Sequence, residues 1–156
     1  MTYPGFTLRT RELETWLAYL GATKLLFDEL DRRLRDESDL SLADYALLAR
    51  LGDADEWGMR MTDLADSTVF SRSRTTHAVD RLVKLGSVER RACPTDRRGS
   101  YAALTDEGRR KLETARLTHD EVIAQHLLGS MNADDMDVLR HQMEAVRASL
   151  EGGRSD

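Results

Sequence analysis

Leu13, Leu17, Leu20, Phe27, Leu30 and Leu34 recur at spacings of three, four and seven, and no other pattern constrains the fold as much. Residues so spaced line one face of an α-helix, so Arg11 to about Glu37 is predicted to form one long helix. Trp16, Tyr19, Leu25 and Leu26 widen the apolar stripe beyond what a narrow helix pair needs. At its standard rise such a helix is about 40 Å long. A rod of that length outruns a small domain, so part of it is expected to pack on another subunit. Near the other end, Met136, Leu139, Met143, Val146 and Leu150 alternate spacings of three and four, the clearest amphipathic stripe in the chain. Asn132 or Ala133 opens that last helix.

Between these ends the elements are short. Ser41 is placed to cap a helix from Leu42 to about Leu51, with Asp44 in its first turn and Gly52 as its stop. A polar stretch around Trp57 and Gly58 is read as including a brief strand. Thr62 is expected to cap a short helix from Asp63 to Ser67. Ser71 or Ser73 begins a fourth helix that runs to Leu85 and ends at Gly86, with Thr75, Val79, Leu82 and Val83 inward. Its opposite face presents Arg74, His77, Arg81 and Lys84. Two β-compatible segments, Ser87 to Ala92 and Ser100 to Leu104, flank the turn-forming run Pro94-Thr95-Asp96-Arg97-Arg98-Gly99. Thr105-Asp106-Glu107 starts a helix that reaches about Leu128.

The charge distribution singles out the middle of the chain. From Arg72 to Arg98, eight basic residues face three acidic ones, a local charge of +5 in a protein of net charge −5, which leaves −10 on the remainder. A basic zone on an acidic protein fits a focused nucleic-acid contact, although a solvated surface has the same composition. With 40% hydrophobic and 33% charged residues in 156, the chain supports one core with a helical extension. No apolar run is long enough for a membrane span, Met1 to Thr10 lack a secretory signal, and Cys93 stands alone. A cytoplasmic protein is the expectation.

A short helix, a turn, a basic-faced helix and a basic hairpin make up the order of a winged helix-turn-helix. A helix fits the major groove, where each base pair presents distinct donors and acceptors. Ser71, Arg72, Ser73, Arg74, Thr76 and His77 lie at or near the start of the fourth helix, where side chains reach base edges and the dipole favours phosphate. Arg81 lies further along the same face. Arg97 and Arg98, at the hairpin tip, are suited to the backbone or the narrow minor groove.

Leu64-Ala65, Ser71-Arg72-Ser73, Val79-Asp80-Arg81-Leu82, Gly86, Val88 and Arg90-Arg91 together resemble the recognition region of MarR-family transcription regulators. The run from Pro94 to Gly99 and then Leu104-Thr105-Asp106-Glu107-Gly108 is similar to that family's wing and the helix start behind it. The long first helix and two closing helices match its dimerisation region, so the resemblance covers nearly the whole chain. The fold implied is mainly α with a small β wing. Residues 1–38 and 105–151 would form the dimerisation helices, 39–104 the DNA-binding lobe and 152–156 a disordered tail.

The resemblance implies a homodimer that binds a pseudo-palindromic double-stranded operator, since two-fold protein symmetry demands two-fold DNA symmetry. It places Arg98 in the minor groove and gives Asp96 the role of bracing the wing through a salt bridge. It also implies a repressor that leaves DNA when a small phenolic or anionic effector binds between the dimer helices and the DNA-binding lobe. Trp16, Tyr19 and Tyr45 are the aromatic candidates for lining that pocket, with packing in the core or at the subunit interface as the competing reading.

Redox- or metal-responsive regulation on the same fold is the alternative. Cys93 sits near Arg90, Arg91 and Arg97, which favours a thiolate, but the first helix lacks the cysteine on which hydroperoxide-sensing members of the family rely. A cysteine at the end of a strand is the simpler reading. His119, His126 and His141 offer no pair at helical ligand spacing, leaving only a site assembled across helices with Glu113 or Glu121. No metal or cofactor is expected. Nor is an enzyme, because the chain has no phosphate-binding glycine loop, histidine-carboxylate cluster or nucleophile elbow. A winged helix that docks on another protein would more often expose apolar anchors than this basic face.

Overall fold

A computed structural model describes residues 7–68, 71–92 and 99–153. In chain order these form α1 (Thr10–Ser38), α2 (Leu42–Gly52), β1 (Met59–Arg60), α3 (Met61–Asp66), α4 (Arg72–Lys84), β2 (Val88–Ala92), β3 (Ser100–Leu104), α5 (Asp106–Ile123) and α6 (Ala133–Gly152). A π-helical turn, Ala124–Leu128, continues α5. The chain divides into two compact units, residues 1–120 and 121–156.

In the first unit α1 is held by its own surface charges. Asp31 pairs with Arg35 at 2.7 Å, Arg32 with Glu29 at 2.6 Å and with Asp36 at 3.0 Å, and Arg33 with Glu37 at 2.5 Å. Each such pair adds a few tenths of a kcal/mol at most, roughly 0.2–0.5, to a helix surface. Of the apolar stripe only Leu13, Leu30 and Leu34 are buried, while Leu20 and Phe27 are exposed. The final turns carry Leu34 into the core, where it joins Leu40, Leu47, Leu48, Val79 and Leu82.

The N-terminus of α2 gathers neighbouring elements. Ser41 caps it as expected, accepting from Asp44 N at 3.1 Å, and Asp44 returns the bond by accepting from Ser41 N at 3.0 Å. The next amide, Leu42 N, donates to Asp31 of α1 at 2.8 Å. One buried cap thus also ties α1 to α2.

The three strands form an antiparallel sheet in the order β1-β3-β2, with Met59 opposite Ala102 and Arg90 opposite Ala102 from the other side. This pairing corrects one expectation. Arg60 is held extended by its pairing with Tyr101, so α3 starts directly after it at Met61, and Thr62 lies inside the first turn instead of capping it. The other boundaries follow local chemistry. Ser71, not Ser73, caps α4 by accepting from Arg74 N at 3.4 Å. Gly86, at φ +71°, turns the chain out of that helix and into β2.

Thr105 starts α5 by accepting from Gly108 N at 3.0 Å and donating to Gly86 O at 2.6 Å. Gly108 has to be glycine because a Cβ there would lie 1.9 Å from Ser87 O.

In the second unit Asn132 caps α6 and exchanges bonds with Asp135. No residue of α6 is buried: Met136, Val138, Met143, Val146 and Leu150 are exposed and Leu139 is half-buried. The helix extends through Gly152, one residue into the stretch expected to be a disordered tail; residues 154–156 lie outside the described residues. Among the described residues no helix is long and apolar enough to cross a membrane.

Candidate nucleic-acid interface

The solvent-facing side of α4 is defined by what its other side must bury. Thr75, Val79 and Leu82, at spacings of four and three, are fully buried. The Thr75 hydroxyl lies 3.3 Å from that of Thr68, which itself donates to Ala65 O at 3.1 Å, so the segment just after α3 is linked to α4. With those positions inward, Ser71, Arg72, Ser73, Arg74, Thr76, His77 and Arg81 are all exposed. The predicted α4 residues therefore do share an accessible face.

Their side chains are not equally free. Arg72 pairs with Asp66 at 3.2 Å, both groups well exposed. The Thr76 hydroxyl donates back to Arg72 O at 2.9 Å. Arg74, His77 and Lys84 have no side-chain partner among the described residues. Arg81, grouped in the sequence with the DNA contacts, instead donates to the buried carboxylate of Asp44 on α2. Arg90 is held by Asp80 at 2.8 Å, and Arg91 by Glu89 at 2.6 Å and by the Glu56 carbonyl. Asp66 and Asp44, from outside the segment, thus offset two of the local +5, while Asp80 and Glu89 are already counted in it. Among the described residues, uncompensated positive charge on α4 sits at Arg74 and Lys84.

β2 and β3 pair out to Ala92 and Ser100, the strands expected to carry the wing. Asp96, Arg97, Arg98 and Cys93 lie outside the described residues.

The aromatic candidates for an effector pocket fall into two places. Trp16 and Tyr19 neighbour one another on α1, ring centroids 6.1 Å apart, and both are exposed. Tyr45 on α2 stacks on His119 of α5 at 4.6 Å with a 24° interplanar angle. Burial pushes the Tyr45 hydroxyl above its usual range, and the negative charge of Asp120 adds to the rise. A cleft of about 410 Å³ between the end of α1 and the first half of α5 is lined by charged groups, including Arg35, Glu37, Arg110 and Lys111, and by none of the three aromatics. His119 Nδ1 lies 3.1 Å from Asp120, while His126 and His141 are exposed. Among the described residues no three His, Cys, Asp or Glu are grouped to hold a metal ion.

Sequence reasoning missed three acidic partners: Asp44, Asp66 and Asp80. Asp44 was legible as a helix-start residue, but nothing local announces that its second oxygen serves Arg81.

Comparison with known proteins agrees with this architecture. The profile of the MarR family matches residues 38–99. No curated protein sequence matches the chain. Among solved structures, Sco3205 from Streptomyces coelicolor, a MarR family transcriptional regulator in complex with DNA, is 35% identical, with a TM-score of 0.89 over 93% of this chain and 91% of that one. AbsC, a MarR family transcriptional regulator from the same organism, is 28% identical, with a TM-score of 0.88 over 94% and 99%. CouR from Rhodococcus jostii RHA1, bound to p-coumaroyl-CoA, is 20% identical, with a TM-score of 0.73 over 90% and 95%, and shares the fold. Mostly helical, with a three-stranded wing sheet and a solvent-facing α4, the chain belongs to the MarR family of winged-helix transcriptional regulators.

Proposed function

We propose that this regulator acts in the cytoplasm as a homodimeric repressor on a pseudo-palindromic operator and leaves DNA when a small phenolic or anionic ligand binds. The observation that carries the DNA reading is the exposed, uncompensated Arg74 near the start of α4, flanked on the same face by Ser73 and His77. α4 enters the major groove with its N-terminal turns foremost, and Arg74 and His77 meet base edges while Ser71, Arg72, Ser73 and Thr76 serve nearby phosphates. Arg97 and Arg98 act at the minor groove or backbone, and Asp96 braces the wing. Support comes from Sco3205, whose structure contains DNA.

Residues 1–38 and 105–151 form the dimer helices and 39–104 the DNA-binding lobe. The dimer reading rests on the apolar side chains left open on α1 and α6, among them Leu20, Phe27, Met143 and Val146. The effector reading is supported by the p-coumaroyl-CoA found in CouR, with Trp16, Tyr19 and Tyr45 as the aromatic groups to meet such a ligand. No catalytic role is assigned.

The test is selection of bound duplexes from genomic DNA, followed by competition gel shifts with Arg74→Ala. The wild type should enrich two-fold symmetric sites, and Arg74→Ala should weaken operator binding more than non-specific binding. A variant that discriminates as the wild type does would show that α4 reads no bases through Arg74.

A further inference from the structure

The Asp44–Arg81 pair joins two groups of very different exposure. The Asp44 side chain is 5% exposed and that of Arg81 50%. One Asp44 oxygen accepts from Ser41 N at 3.0 Å and from the Ser41 hydroxyl at 2.6 Å, and the other accepts from Arg81. The Ser41 hydroxyl also lies 3.5 Å from the same Arg81 nitrogen. A buried carboxylate with every oxygen engaged is fixed in direction, and a guanidinium bound to it is fixed in turn. Arg81 lies two turns after Arg74 on α4, and α2 belongs to the rigid core through Leu47, Leu48 and Leu51. The grip therefore ties the second half of α4 to the start of α2.

Building on the DNA-binding reading above, we infer that Asp44 and Arg81 are positioning residues for DNA recognition: the buried carboxylate holds α4 at its working angle through Arg81, and neither group contacts DNA. Arg81 thereby leaves the set of direct contacts in which its helical face had placed it. Loss of the pair lets α4 pivot about its buried residues, which misplaces Arg74 against the base edges while phosphate contacts are retained. The cost falls on discrimination between sequences. A lost phosphate contact, by contrast, lowers binding to all sequences and changes its salt dependence.

The experiment uses the full-length chain and a duplex that the wild type has enriched from random DNA, with Asp44→Asn, Arg81→Met, the double variant and Ser41→Ala. Asp44→Asn and Arg81→Met should each weaken binding to the enriched duplex roughly tenfold, within the range of such indirect couplings. In Arg81→Met, binding to a scrambled duplex and the slope of log affinity against log salt should stay at wild-type values; Asp44→Asn, which leaves the half-exposed Arg81 uncompensated, should bind the scrambled duplex no more weakly than wild type. The double variant should be no weaker than either single one, because both remove the same link. Ser41→Ala loses the helix cap yet keeps the ion pair, so it should retain discrimination, separating positioning from general loosening of α2.

If Arg81→Met, which leaves the Asp44 carboxylate buried without its cation, yields too little folded protein at the assay temperature, the double variant, which buries no unpaired charge, supplies the comparison with Asp44→Asn. A salt slope lowered by about one in Arg81→Met would make Arg81 a phosphate contact and overturn the inference. So would wild-type discrimination by Asp44→Asn or by the double variant. Failure of the wild type to enrich any duplex would overturn the DNA reading itself and this inference with it.

Discussion

Arg90 on β2 donates to Asp80 on α4 at 2.8 Å, linking the strand that leads toward the wing with the helix assigned to the major groove. Both groups are partly exposed, so the pair contributes about 1 kcal/mol at most to folding. Its larger effect is electrostatic, since it cancels a positive charge close to the face proposed to meet DNA. Asp80→Ala should leave urea-denaturation stability within about 1 kcal/mol of wild type. The variant should bind non-specific duplex several-fold more tightly at low salt, a gain that fades as salt rises. Unchanged low-salt affinity would mean that Arg90 is out of reach of phosphate.

The wing arginine carries a different signature. In the proposed reading Arg98 meets the minor groove, so Arg98→Ala should weaken operator and non-specific binding alike and reduce the salt slope by about one. Titrations at several salt concentrations decide this. An unaltered slope with full affinity would remove Arg98 from the contact.

Met143 lies on the face of α6 that the single chain leaves open. Placing a charge in an apolar seam between subunits is costly, whereas the same charge on an exposed helix face is tolerated. Met143→Asp, or Leu139→Asp one turn earlier, should therefore dissociate the proposed dimer while circular dichroism still reports a helical chain. Light scattering at the dimer mass would exclude this face from the interface.

Acid should weaken the junction of α1 and α2. The Arg35 guanidinium holds Asp31 below the usual carboxylate range, partial burial opposes this, and the Leu42 amide adds to the lowering. Because the folded pKa is depressed, the contribution is complete above the unfolded value of about 4 and is lost as pH falls through the folded one. Asp31→Asn should be less stable than wild type near neutrality, and the difference should shrink below about pH 4. Urea denaturation across pH checks this, and a gap still undiminished at about pH 3 would remove Asp31 from the acid response.

Features encoded within a few residues were legible in the sequence. Ser41 with Asp44, and Asn132 with Asp135, have the spacing at which a cap exchanges hydrogen bonds, and both do so. Thr75, Val79 and Leu82 follow the helical period, which turned Arg72, Arg74 and His77 outward together. Thr62 misled because the start of α3 is set by β1 pairing with β3, some forty residues further along the chain. On α1 the periodic stripe marked an apolar face correctly, but periodicity carries no information about which part of that face its own core covers.

Helix content, the order of elements and the basic face of α4 were thus determined by the sequence alone, because periodicity and capping act over a turn or two of chain. Which arginines on and beside that face remain free was decided only by tertiary structure. Arg74 and Arg81 are alike in composition and helical face, yet Arg81 meets a buried carboxylate 37 residues away in the chain while Arg74 meets solvent. An ion pair depends on the distance between charges in space, and that distance is set only when the core brings α2 and α4 together.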